Sequence, residues 1–165
     1  MVFWFPLIAW ALALVYAVLA IVRAPGRRSF SFCADKLIVG ILLFPVGLMG
    51  LWAALGHIVF PGPSAAAIGC GPSPFQFEVG VANLGIGLAG VIGALYRDWG
   101  YRLAMAVMTC GFLGGAAVGH VVQIAATGNL AAGNAGPILY TDVLTPLALL
   151  ILLALTWRSA RRPTP

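Results

Sequence analysis

Five apolar runs, each near the length that carries a helix across a bilayer, set the limits on what this chain can become. They lie at roughly 3–22, 36–60, 75–96, 103–126 and 138–157, and about 20 residues of helix cross a hydrocarbon core. The chain is 62% hydrophobic and only 8% charged, with a mean hydropathy of +1.04. A soluble domain of 165 residues has too little interior to hide that much apolar surface. The expected class is therefore an all-α integral membrane protein with five transmembrane helices.

The basic residues orient it. All nine fall in three places: Arg23, Arg27, Arg28 and Lys36 after the first run; Arg97 and Arg102 between the third and fourth; Arg158, Arg161 and Arg162 after the fifth. In a five-span chain these places share one side, which the positive-inside rule makes cytoplasmic. The expected topology is N-out/C-in, with uncharged outer loops near 61–74 and 127–137. Split among juxtamembrane loops, the arginines form no continuous basic face, so they point to anionic lipid head groups and away from nucleic acid. The first run lacks the basic start and small-residue cleavage site of a signal peptide. It is expected to be an uncleaved anchor, peripheral to the bundle. Asp35 is placed to cap the second helix, and Pro45 to kink it.

A short pattern occurs twice. Ala53-Ala54-Leu55-Gly56-His57-Ile58-Val59 returns as Ala116-Ala117-Val118-Gly119-His120-Val121-Val122. These are the chain's two histidines, and each is followed by a helix opening with a carboxylate, Glu78 and then Asp142. The repeat predicts that helices 2–5 form a four-helix bundle of two parallel helix-hairpin repeats. Residues 1–35 would be anchor and linker, 36–96 the first repeat, and 97–165 the second repeat with its basic tail. Glycines should let the core helices approach closely; Gly85 and Gly119 are expected at such contacts, and Ala13 in the anchor is not. Cys33, Cys70 and Cys110 fall at three different depths and are expected to be free thiols.

All four repeated polar residues fall near the outer interface, and ionisable groups inside a membrane are functional candidates. Three chemistries are open to His57, Glu78, His120 and Asp142. The set suits a Zn, Fe or Mn ion. The two histidines alone can hold haem b, with the acids orienting the rings. A metal- or haem-binding centre with a redox role is the favoured expectation; without a metal, the pairs can relay protons, as in a proton-coupled carrier for a small solute. The bland alternative is that each pair glues two helices together, as in an accessory subunit of a larger membrane complex or a homo-oligomer. Gln76, Asn83, Gln123 and Tyr140 are secondary polar candidates, Gln123 lying one turn beyond His120 and Asn83 turned away from Glu78.

The segment Ser73-Pro74-Phe75-Gln76-Phe77-Glu78-Val79-Gly80-Val81-Ala82-Asn83-Leu84-Gly85 resembles a family of small bacterial multi-pass membrane proteins, of unassigned activity, that carries an SPFQ-x-E-x-G-x-x-N signature. The likeness covers mainly the third to fifth helices. It implies that Gln76, Glu78 and Asn83 form a motif, and a bacterial cytoplasmic membrane as the location. More loosely, a four-helix core with an accessory span looks like the DoxX-type membrane proteins.

Overall fold

The computed structural model describes residues 4–26 and 28–160, the side chains of 158–160 excepted. Phe3, Arg27, Arg161, Arg162 and the side chain of Arg158 therefore lie outside the described residues. Eight α-helices follow one another among the described residues: α1 (Phe5–Arg23), α2 (Phe30–Ile41), α3 (Met49–Val59), α4 (Pro61–Ile68), α5 (Phe75–Leu95), α6 (Trp99–Thr127), α7 (Ala132–Ala135) and α8 (Pro137–Ala160). Among the described residues, five helical stretches are long and apolar enough to cross a membrane, with α2 and α3 forming a single 30-residue stretch. Between α2 and α3 the helix continues as a π-helical segment, Leu42–Leu48, around Pro45. Proline has no N–H to give the preceding turn, and the wider turn is how the helix accommodates it.

The second span starts earlier than its apolar run. Ser29 caps α2 by accepting from the Phe32 N–H at 3.2 Å, so Asp35, expected as the cap, lies inside the helix. There its carboxylate meets Arg102 at 2.8 Å, Lys36 at 3.3 Å and Arg97 at 3.7 Å. Arg102 is buried and also donates through Nε to the Gly93 carbonyl at 3.1 Å. This cluster ties α2, α5 and α6 together at one end of the bundle.

At the other end, both connections thought to be plain loops contain helix. α4 opens on Pro61, whose fixed φ suits a first helical turn. It closes on Gly69, which takes the left-handed conformation at φ 79° that favours glycine. The shorter α7 packs against it: a Cβ on Gly133 would stand 2.7 Å from the Ala67 carbonyl oxygen. Asn129 adds a hydrogen bond to the Ile68 carbonyl at 2.9 Å.

The most extensive packing joins α3 to α5 and α6 to α8, giving two hairpins; α5 and α6, though consecutive, meet far less. Close backbone approach occurs where glycines face each other in the first hairpin. A Cβ on Gly87 would lie 2.7 Å from the Leu51 nitrogen, and one on Gly90 would lie 2.9 Å from the Gly47 nitrogen. Gly85 and Gly119, expected at such contacts, have open space instead. On α5, Gly85 is turned about 160° from Gly87 and about 140° from Gly90 at about 100° per residue, away from the seam.

The expectation that Ala13 lies away from close helix contacts is also corrected. Ala13 is 0% exposed, and its carbonyl oxygen would stand 2.7 Å from a Cβ on Gly40. Trp10 Nε1 donates to Thr145 Oγ1 at 3.1 Å, joining α1 to α8. Small residues on one stripe of α1 (Ala9, Ala13 and Ala17, all buried) made this packing possible. An apolar run without charge looks lipid-facing on composition alone.

Candidate functional site

Between the hairpins, at the end that carries α4 and α7, lies a cavity of about 890 Å³ lined by both histidines. Its wall is largely apolar, with Trp52 and Phe60 from the first hairpin, Phe75 from the start of α5, and Phe112 from α6. Gln76, Asn83 and Asp142 add the polar groups.

His57 stands in the last turns of α3 and is half-buried. Its Nδ1 hydrogen-bonds Gln76 Oε1 across the hairpin, and Gln76 is itself buried. The close fit of α3 on α5 aligns the pair: a Cβ on Gly80, one turn along from Gln76, would stand 3.2 Å from the His57 Cβ.

His120 is held differently. Its Nδ1 lies 2.7 Å from Asn134 Oδ1, and the Asn134 amide nitrogen donates to the Asn129 carbonyl at 2.8 Å. That second bond fixes which end of the Asn134 amide faces the ring. The oxygen faces His120, so Nδ1 must carry the proton. His120 Nε2 then stands 3.6 Å from Asp142 Oδ2, longer than a direct hydrogen bond. Asn134 is fully buried and Asp142 is 4% exposed, so the two groups that flank the ring are shielded from solvent while His120 itself borders the cavity.

Of the four principal candidates, the structure brings His57, His120 and Asp142 to one cavity and leaves Glu78 out. Glu78 is exposed on α5. Gln76, Val79 and Asn83 line the cavity from that helix, and two residues of helix turn Glu78 about 200° from Gln76. Among the described residues, no group of three or more His, Cys, Asp and Glu side chains is placed to hold a metal ion. Asn83 donates to the Val79 carbonyl within its own helix at 2.9 Å and still borders the cavity. Gln123 is exposed and accepts from Asn129 at 3.1 Å; Tyr140 is exposed and borders nothing in the site. The three cysteines are free.

Sequence reasoning missed Asn129 and Asn134. They are two of the chain's three asparagines, both in an otherwise small and apolar connection. An amide there is the side chain that can satisfy backbone and ring groups in a tight turn. That local enrichment was the available signal.

Five apolar helices arranged in this way define a multi-pass helical membrane protein. A model of the family of unknown function DUF6790 matches residues 3–162, and the chain belongs to that family. No curated protein and no solved structure matches it.

Proposed function

We propose that this protein sits N-out and C-in in a bacterial cytoplasmic membrane and binds a small, mostly apolar molecule with hydrogen-bonding oxygens in the cavity between its hairpins. The topology rests on the distribution of its basic residues, with Lys36, Arg97 and Arg102 gathered at the end opposite the cavity. The two hairpins, each a helix, a short helix and a second helix, fit a duplicated unit.

The observation that carries the binding reading is the cavity itself. It has about 890 Å³ of space and an apolar wall, and it takes one oriented histidine from each hairpin. Ligand sites are concave and mostly apolar, with a few placed polar groups. An ion held by His57, Glu78, His120 and Asp142 fits less well, because Glu78 faces away. Haem held between the histidines also fits less well: His120 gives Nδ1 to Asn134 and turns Nε2 toward Asp142, leaving neither nitrogen aimed at an iron.

A test uses the purified full chain in lipid nanodiscs, titrated with a short-chain p-benzoquinone as the oxygen-bearing probe and, separately, with haemin. Saturable quinone binding, weakened at least tenfold by His57→Phe and by His120→Phe, is expected. Failure of the quinone to saturate would sink the reading. Haemin bound with a six-coordinate bis-histidine spectrum, lost in both variants, would restore the haem alternative in its place.

A further inference from the structure

A second, smaller cavity of about 70 Å³ lies against the first and reaches toward the middle of the bundle. Asn83 and Asp142 border both. Its inner wall carries Thr109 from α6, Thr145 from α8 and Trp10 from α1. Thr109 precedes His120 by about three helical turns, so polar groups extend well below the layer that the sequence singled out. Pro45, inside the π-helical segment, forms part of the same wall.

The polar groups here are incompletely matched. Thr109 is 0% exposed, and its hydroxyl has no hydrogen-bond partner among the described residues. A threonine in a helix ordinarily turns its hydroxyl back to its own backbone, as Thr156 does toward the Leu152 carbonyl at 2.8 Å. Thr109 does not. Asn83 spends its amide nitrogen on the Val79 carbonyl, which leaves its side-chain oxygen as an acceptor. Asp142 meets His120 only at 3.6 Å. A buried hydroxyl left unpaired is costly, and the Asn83 oxygen and the Asp142 carboxylate border the same space.

We infer that this compartment is a built hydration site, in which bound water bridges the Thr109 hydroxyl to the Asp142 carboxyl and the Asn83 oxygen. The volume suffices, since a water occupies about 30 Å³ in the liquid and needs two to four polar partners. Water is also the ligand that matches a mixed wall: it donates to Asp142 and Asn83 and accepts from Thr109. The titratable groups near Asp142 are His120 on α6 and, across the large cavity, His57 on α3; α1 presents none. The compartment therefore keeps Asp142 hydrogen-bonded on its inner side even when a ligand fills the large cavity. The inference rests on the small cavity and Thr109, and holds whatever the large cavity binds.

Radiolytic hydroxyl labelling of the full chain in nanodiscs tests it, because side chains beside bound water are oxidised faster than dry ones. Rates are normalised to each residue type's intrinsic reactivity. Pro45 and Trp10, which line the compartment, should label at least fivefold faster than Leu153, a buried residue away from it. Thr109→Val removes the hydroxyl at constant shape and should lower the Pro45 rate at least threefold. Thr109→Ser should keep the rate, and Thr156→Val should leave it unchanged. Pro45 labelling as slowly as Leu153 in the unaltered protein would overturn the inference. So would an unchanged rate in Thr109→Val, or an equal fall in Thr156→Val.

Discussion

The two hairpins start from nearly the same short sequence and hold their histidines by different means. In the first, the π-helical segment and α3 touch α5 backbone to backbone through Gly47, Gly50, Gly87 and Gly90, and His57 is held by one amide from the facing helix. In the second, a Cβ on Gly111, Gly114, Gly115 or Gly119 of α6 would meet no neighbouring element within 4 Å among the described residues. Orientation of His120 comes instead from Asn134, Asn129 and Asp142. One hairpin is positioned by shape and the other by hydrogen bonds. A recurring Gly-His thus fixes where a histidine sits along a helix and leaves open what holds it.

The largest expected effect separates the glycines. Leucine at Gly87 must displace the α3 backbone, and overpacking of this kind typically costs about 1–3 kcal/mol. Leucine at Gly119 meets open space and should stay within about 0.5 kcal/mol. Thermal unfolding in detergent would compare them; equal losses would break the contrast between a shape-held and a bond-held hairpin.

Next come the amides. Asn134→Ala strips a fully buried group that serves both the His120 ring and the Asn129 carbonyl, and leaving such partners unmatched costs about 1–3 kcal/mol. Gln76→Ala removes a single partner from a half-buried ring and should cost about 0.5–1.5 kcal/mol. Nitrogen-15 NMR sharpens the point: His120 should carry its proton on Nδ1, and Asn134→Ala should abolish that preference while His57 keeps its spectrum. If the His120 tautomer is unaffected, the Asn129–Asn134 pair does not orient the ring.

A smaller effect belongs to α1. Trp10→Phe keeps the ring's bulk and deletes the bond to Thr145, with an expected loss of about 0.5–1.5 kcal/mol. Val18→Ala, on the exposed face of the same helix, should be milder. No difference between them would return α1 to the role of a detached anchor.

Much of the fold was legible because bilayer physics leaves few choices. Apolar length gave the five spanning helices, and Pro45 marked the place where the second one departs from regular α geometry. The seam was harder to read. Glycine is common along α5 and α6, and composition does not say which face of a helix a given glycine occupies; Gly87 and Gly85 differ only by rotation. The helical connections were missed because Pro61, Pro63 and Gly69 mark loop boundaries as readily as helix ends. Histidine positions were readable from the sequence, whereas the amides that orient them come from separate segments that only packing brings near.

The smallest effect is expected at Glu78, and it follows from one residue of register. The histidines are 63 residues apart, but Glu78 and Asp142 are 64 apart. On a helix a single residue is a rotation of about 100°, enough to move a side chain from one face to the next. The position 63 before Asp142 is Val79, and Val79 does line the cavity; Glu78, its neighbour, is exposed. The two carboxylates that matched by eye are therefore not equivalent in space. Glu78→Gln should leave stability within about 0.5 kcal/mol and leave quinone-probe binding unchanged. Asp142→Asn alters a buried group beside His120 and should weaken probe binding severalfold. A loss at Glu78 as large as that at Asp142 would mean that the two acids do act together, and that the face of α5 described by Gln76, Val79 and Asn83 is not the one that meets the ligand.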